Sequence, residues 1–138
     1  MQTAAVTANF APERAHAMDG WVGVDQVDER NLNAKLVLDR FERKHGERPF
    51  GGSAFLCGYD IGLSFGIALG RMKEQTAAGL LRAMETLCLL PATNGAPGTA
   101  ISFGPNDPHG YKGAGYLVLR KVQDGGTRFL STIPMDWA

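Results

Sequence analysis

The chain has 138 residues, 44% of them hydrophobic and 20% charged, which is the length of one domain and the composition of a soluble globular protein rather than a disordered one. Its 14 basic and 14 acidic residues give a formal net charge of +0, with no basic block. That argues against a nucleic-acid partner and against electrostatic binding to a membrane surface.

In chain order, residues 1–10 carry little pattern and read as frayed or disordered, or as part of an upstream element. No basic start is followed by an apolar run, so the chain as written shows no secretion signal and is expected in the cytoplasm. Pro12 to Met18 suits one helical turn, and Trp21 to Val24 (WVGV) is a strand candidate. The acidic run Asp25, Asp28, Glu29 reads as a solvated loop leading into a helix rather than as a cation site. Asn31 to His45 reads as that helix, with Leu32, Leu36, Val37 and Phe41 as its apolar face. Asp39 and Arg43 form an i,i+4 pair, and Gly46 takes the C-cap place.

Ser53 to Lys73 (SAFLCGYDIGLSFGIALGRMK) is the densest stretch. Gly58, Gly62, Gly66 and Gly70 recur every fourth residue, and at about 100° per residue a step of four drifts only ~40°, so they share one stripe. Each glycine costs a helix roughly 1 kcal/mol against Ala, so the stripe predicts a buried helix with another backbone packed closely along it. Asp60, Arg71 and Lys73 interrupt the apolar run and argue against a membrane span.

Thr76 caps a third helix, Ala77 to about Cys88, with Leu80, Leu81, Met84, Leu87 and Cys88 at the helical period, and Pro91 stops it. PATNGAPG is loop. Thr99 to Phe103, Gly115 to Val122 and Thr127 to Ile133 are strand candidates, the last two joined by the QDGG turn. Helices followed by strands give α/β or α+β content in a single domain, residues 1–138.

The chemistry-bearing residues do not assemble into a catalytic set. His16, His45 and His109 stand in unrelated contexts without metal-ligand spacing, and Ser53 lacks a GxSxG frame. Cys57 has Asp60 one turn on, which raises a thiol's pKa rather than activating it. Cys57 and Cys88 read as free buried thiols. No phosphate-loop signature occurs, and no cofactor or metal is expected. Tyr59 and Asp60, taken as opening the central helix, mark either a small-anion site or a satisfied core pair.

The order of AFLCGYDIGLSFGIALGRM, TAAGLLRAMETL and GAPGTAISFGPNDPHGYKGAGYLVLRKVQDGGTRF, preceded by AHAMDGWVGVDQVDERNLNAKLVLDRFERKHGERP, resembles the C-terminal third of periplasmic substrate-binding proteins of ABC transporters. The branch is the type I, leucine/isoleucine/valine-binding one, and the resemblance spans roughly residues 12 to 132. It implies an α/β, partial periplasmic-binding-protein type I (Rossmann-like) fold, with three main helices followed by a small β region. It also implies capture of an amino acid or an aromatic or organic acid without catalysis, in the periplasm, with delivery to an ABC permease.

Carried over position by position, the resemblance offers Asp25 and Gln26 as cleft lining, with Phe55 and Tyr59 at the approach to the Tyr helix. Full family members are two to three times longer, so surfaces that meet the rest of the fold, the glycine stripe included, are expected to lie open here. That predicts a homo-oligomer. The alternative reading is a small cytosolic α+β interaction or regulatory domain that self-associates.

Overall fold

The structure is a computed structural model and describes residues 16–49, 51–113 and 115–133. The expectations for residues 1–10 and for most of Pro12 to Met18 fall outside the described residues. Strand β1 is Val22–Asp25 and helix α1 is Leu32–His45, followed by α2, Gly52–Arg71, and α3, Ala77–Met84. Then come β2 (Leu90–Pro91), β3 (Ala100–Ile101), β4 (Tyr111–Lys112), β5 (Val118–Gln123) and β6 (Gly126–Thr132). Two three-stranded antiparallel sheets result, ordered β1-β5-β6 and β2-β3-β4.

Local chemistry accounts for the element ends. Asn31 caps α1 by accepting the N–H of Asn33, and Gly46 closes it in the left-handed region at φ 81°. Thr76 caps α3 by accepting the N–H of Gly79 at 3.0 Å. Between β5 and β6, Asp124 (φ 54°) and Gly125 (φ 75°) both take positive φ, as a two-residue hairpin turn matched to strand twist requires. Along β5, Val118, Arg120 and Val122 point inward by the period of two.

The inward faces of the helices differ from the expected ones. On α1, Leu32 and Leu36 lie in solvent and Ala34 is buried. Asn31 fixes that rotation, because its side-chain amide donates to the carbonyls of Ala92, Thr93 and Gly95. Asp39 pairs with Arg48 rather than Arg43, and Glu42 joins the same guanidinium.

On α2 the buried stripe is Ser53, Leu56, Asp60, Ser64 and Ala68. The four glycines lie on the opposite side, where an added Cβ would meet nothing within 4 Å. The close packing expected along that stripe is therefore absent among the described residues. The stripe is open instead, which matches the other expectation stated for it, that it would lie uncovered. By length and composition α2 can cross a bilayer, but its buried stripe carries a carboxylate engaged by protein donors.

Below Asp60, Ala68 packs with Ala83 and Leu87, joined by Ile67, Met84 and Phe103. On α3, Leu81 faces solvent rather than the core; the helix ends at Met84, short of the expected Cys88, which is exposed, and Pro91 sits in β2 instead of ending a helix. Cys57 is half-buried, and both thiols are free.

Candidate functional site

Asp60 organises the middle of the molecule. Helix α2 begins at Gly52, two turns before Asp60, so this acid is a mid-helix residue and not one opening the helix. Its carboxylate accepts from five groups: the backbone N–H groups of Thr93 and Asn94, the Thr93 hydroxyl, the Asn94 amide and the Tyr111 hydroxyl. None of the five donors is a cation. A carboxylate that leaves water needs such replacements, and here one short loop and one tyrosine supply them.

That loop, residues 92–96, is wholly buried. It is held from three sides: by Asp60 on α2, by the Asn31 amide at the start of α1, and by the Gln26 carbonyl, which accepts the Gly95 N–H at 2.6 Å.

Tyr111 carries the network to the surface. Its hydroxyl donates to Asp60 Oδ2 at 3.0 Å and accepts from Asn94 Nδ2 at 3.2 Å. Its ring stacks on Tyr116, centroids 4.4 Å apart and planes 17° from parallel. Burial, and then the negative charge of Asp60, push the Tyr111 hydroxyl well above its ordinary pKa. Burial, followed by the proximity of Cys57 and Asp60, raises Tyr116 to about 12.

The ring pair lines a groove of about 540 Å³, together with Gly110, Gly113 and Leu117, and Asp107, His109 and Lys112 contribute its polar groups. The volume lies in the range of small-molecule sites. Lys112 Nζ donates to Asp107 Oδ2, and that ammonium, aided by the His109 N–H, holds the Asp107 carboxyl below its ordinary value.

The four residues offered from the sequence do not converge on this groove. Asp25 is buried at the end of β1, accepts the N–H of Gln26 and lies 3.8 Å from Arg120 Nε. Gln26 is half-buried and holds Gly95 through its carbonyl. Phe55 packs edge-on against Phe41 with centroids 4.8 Å apart. Tyr59 stands on the outer side of α2, 40% exposed.

Asp25 belongs instead to a clamp around Arg120. That guanidinium donates to the Val27 and Thr127 carbonyls and to Glu29 Oε2, while Glu29 Oε1 accepts the Phe129 N–H. Beside it, Arg30 pairs with buried Asp28 and lies over the Phe129 ring at 3.4 Å. The acidic run expected to be a solvated loop is thus held onto the β5–β6 hairpin. Among the described residues no cluster of three metal-ligating side chains occurs.

No protein-family model matches the sequence, and neither does any curated protein. Among solved structures, the leucine-binding protein LivK of Thermotoga maritima is similar, with a TM-score of 0.66 and 18% sequence identity. The match covers 91% of this chain and 35% of that one, so the chain spans about a third of that protein's length. The three helices and two small sheets of the described residues thereby match part of a periplasmic-binding-protein-like fold, and the similar structure is that of a binding protein.

Proposed function

We propose that the chain is the non-catalytic ligand-binding component of an ABC-type uptake system, corresponding to the C-terminal third of such a protein or to a truncated relative. It captures an amino acid or a small organic acid. The observation that carries this reading is the fold likeness over 91% of the chain to a leucine-binding protein. The groove at Tyr111 and Tyr116 adds a cavity of suitable size. In this reading the working compartment is the periplasm and the delivery partner is a membrane permease.

A thermal-shift scan against branched-chain amino acids, aromatic amino acids and aromatic carboxylates tests it. A ligand at one hundred times its dissociation constant stabilises by about 2.7 kcal/mol, a shift of several degrees for a chain of this size. No shift with any class removes the reading.

A second reading, a small self-associating interaction domain, is favoured by the outer side of α2. From Gly52 to Gly70 the only charged residue is buried Asp60, while Ile61, Phe65 and Leu69 are each more than 40% exposed. Light scattering across a concentration series tests this second reading. A monomer at all concentrations removes the second.

A further inference from the structure

The groove has two features with different chemistry side by side. Its apolar part is the parallel pair Tyr111 and Tyr116, with Leu117 beside it. Tyr111 cannot swing away, because Asp60 and Asn94 grip its hydroxyl. The stack is therefore preformed, and since its inner faces cover each other, what it offers a ligand is an outer ring face, at a lowered ordering cost of binding. Its polar part is the hydrogen-bonded pair of Lys112 and Asp107, whose side chains remain 29% and 58% exposed. His109 stands next to them, its backbone N–H also on Asp107. Gly110 and Gly113 flank Tyr111 and Lys112 without adding side chains to the groove.

An ammonium and a carboxylate adjacent on one rim complement a carboxylate and an ammonium on one carbon. A flat aromatic floor beside them complements a planar ring. We infer that this groove binds an aromatic amino acid as its zwitterion, the ring against Tyr111 and Tyr116, the carboxylate toward Lys112 and the ammonium toward Asp107. The inference rests on the amino-acid-binding reading above and names the site and the ligand class. A plain aromatic acid is disfavoured, because Asp107 repels a second carboxylate and nothing on the acid answers it.

Titration calorimetry of the 138-residue chain with L-phenylalanine, L-tryptophan, L-leucine and 3-phenylpropanoate tests the assignment. Phenylalanine or tryptophan is expected to bind, with leucine and 3-phenylpropanoate weaker by roughly tenfold or more. Lys112→Met and Tyr116→Leu each weaken the aromatic amino acid by a similar factor. Asp107→Asn weakens it too, but strengthens 3-phenylpropanoate, a reversal that damage to the fold does not produce.

Circular dichroism confirms that the variants are folded, and Lys112→Met, on the rim, serves if Tyr116→Leu is not. If leucine binds and the aromatic amino acids do not, the inference is overturned while the broader reading stands. The same holds if phenylalanine binds these variants as it binds the parent chain. If nothing in the panel or in the wider scan binds, the broader reading fails and the inference with it.

Discussion

The hydroxyl of Tyr111 donates to the carboxylate of Asp60 across 51 positions of sequence, at 3.0 Å. The bond joins the hairpin that lines the groove to the middle of the longest helix, so the groove's floor and the helix core are one mechanical unit.

Removing that acceptor should cost more than removing one donor. Asp60→Ala strands the N–H groups of Thr93 and Asn94 and the Tyr111 hydroxyl, and is expected to destabilise by about 3 kcal/mol or more. Tyr111→Phe deletes two bonds, the one to Asp60 and the one from Asn94, and should cost about 1–2 kcal/mol. Urea denaturation of both single variants and the double variant checks this. The two changes should be clearly less than additive, since they share a bond.

Acid should loosen the Arg120 clamp. Burial pushes Asp28 and Glu29 upward, but hydrogen bonds from Arg30 to the first, and from the Phe129 N–H and Arg120 to the second, outweigh it. Both folded pKa values thus lie below the ordinary 3.8 and 4.5. Their contribution is fully present above pH 4.5, declines as the pH falls below it, and is lost once the folded values are passed. A melting-temperature series from neutral to acid pH should show this fall, and Arg120→Met should flatten the part due to Glu29.

At the alkaline end the sign reverses. Tyr116 is raised from 10.0 to about 12, so its contribution is intact below pH 10 and is lost as the pH rises through about 12. Ultraviolet titration of the phenolate band should show a tyrosine ionising near that upper value in the folded chain. Tyr116→Phe should remove it.

Gly66→Ala reads out whether the outer side of α2 is covered in solution. With nothing within 4 Å of the added methyl, it should stabilise the chain by about 0.5–1 kcal/mol through helix propensity. A destabilisation in dilute solution would mean that another backbone lies against the stripe. Phe65→Lys should leave the monomer's stability nearly unchanged and abolish any concentration-dependent association.

What could be read from the sequence was local. Asn31, Gly46 and Thr76 act on neighbours within three or four positions, and the QDGG turn sets its own dihedral angles, so both ends of α1, the start of α3 and the last hairpin were legible, while the end of α3 was not. The face α2 turns inward was not. Its glycines and its Leu56–Asp60–Ser64–Ala68 stripe share the same four-residue spacing, and the choice depends on Thr93, Asn94 and Tyr111, more than thirty positions away. Strands β2 and β4 have two residues each, too few for any periodicity. The groove went unnoticed because Tyr111, Lys112 and Tyr116 sit in a stretch whose glycines and prolines signal only turns. Asp25 was visible as an acid, but its partner, Arg120, is 95 positions distant.

The pairing of β1 with β5 bears on how the chain folds. Val22 lies opposite Lys121 and Asp25 opposite Val118, so the first described strand has no partner until nearly all the rest of the chain exists. The β5–β6 hairpin closes through a two-residue turn and can form early, whereas joining β1 to it closes a loop of about ninety residues. On a ribosome β1 therefore emerges well before β5 and β6 and waits for them to dock. A chain stopped before Val118 would hold three helices and an orphaned strand edge, the state most exposed to aggregation during synthesis.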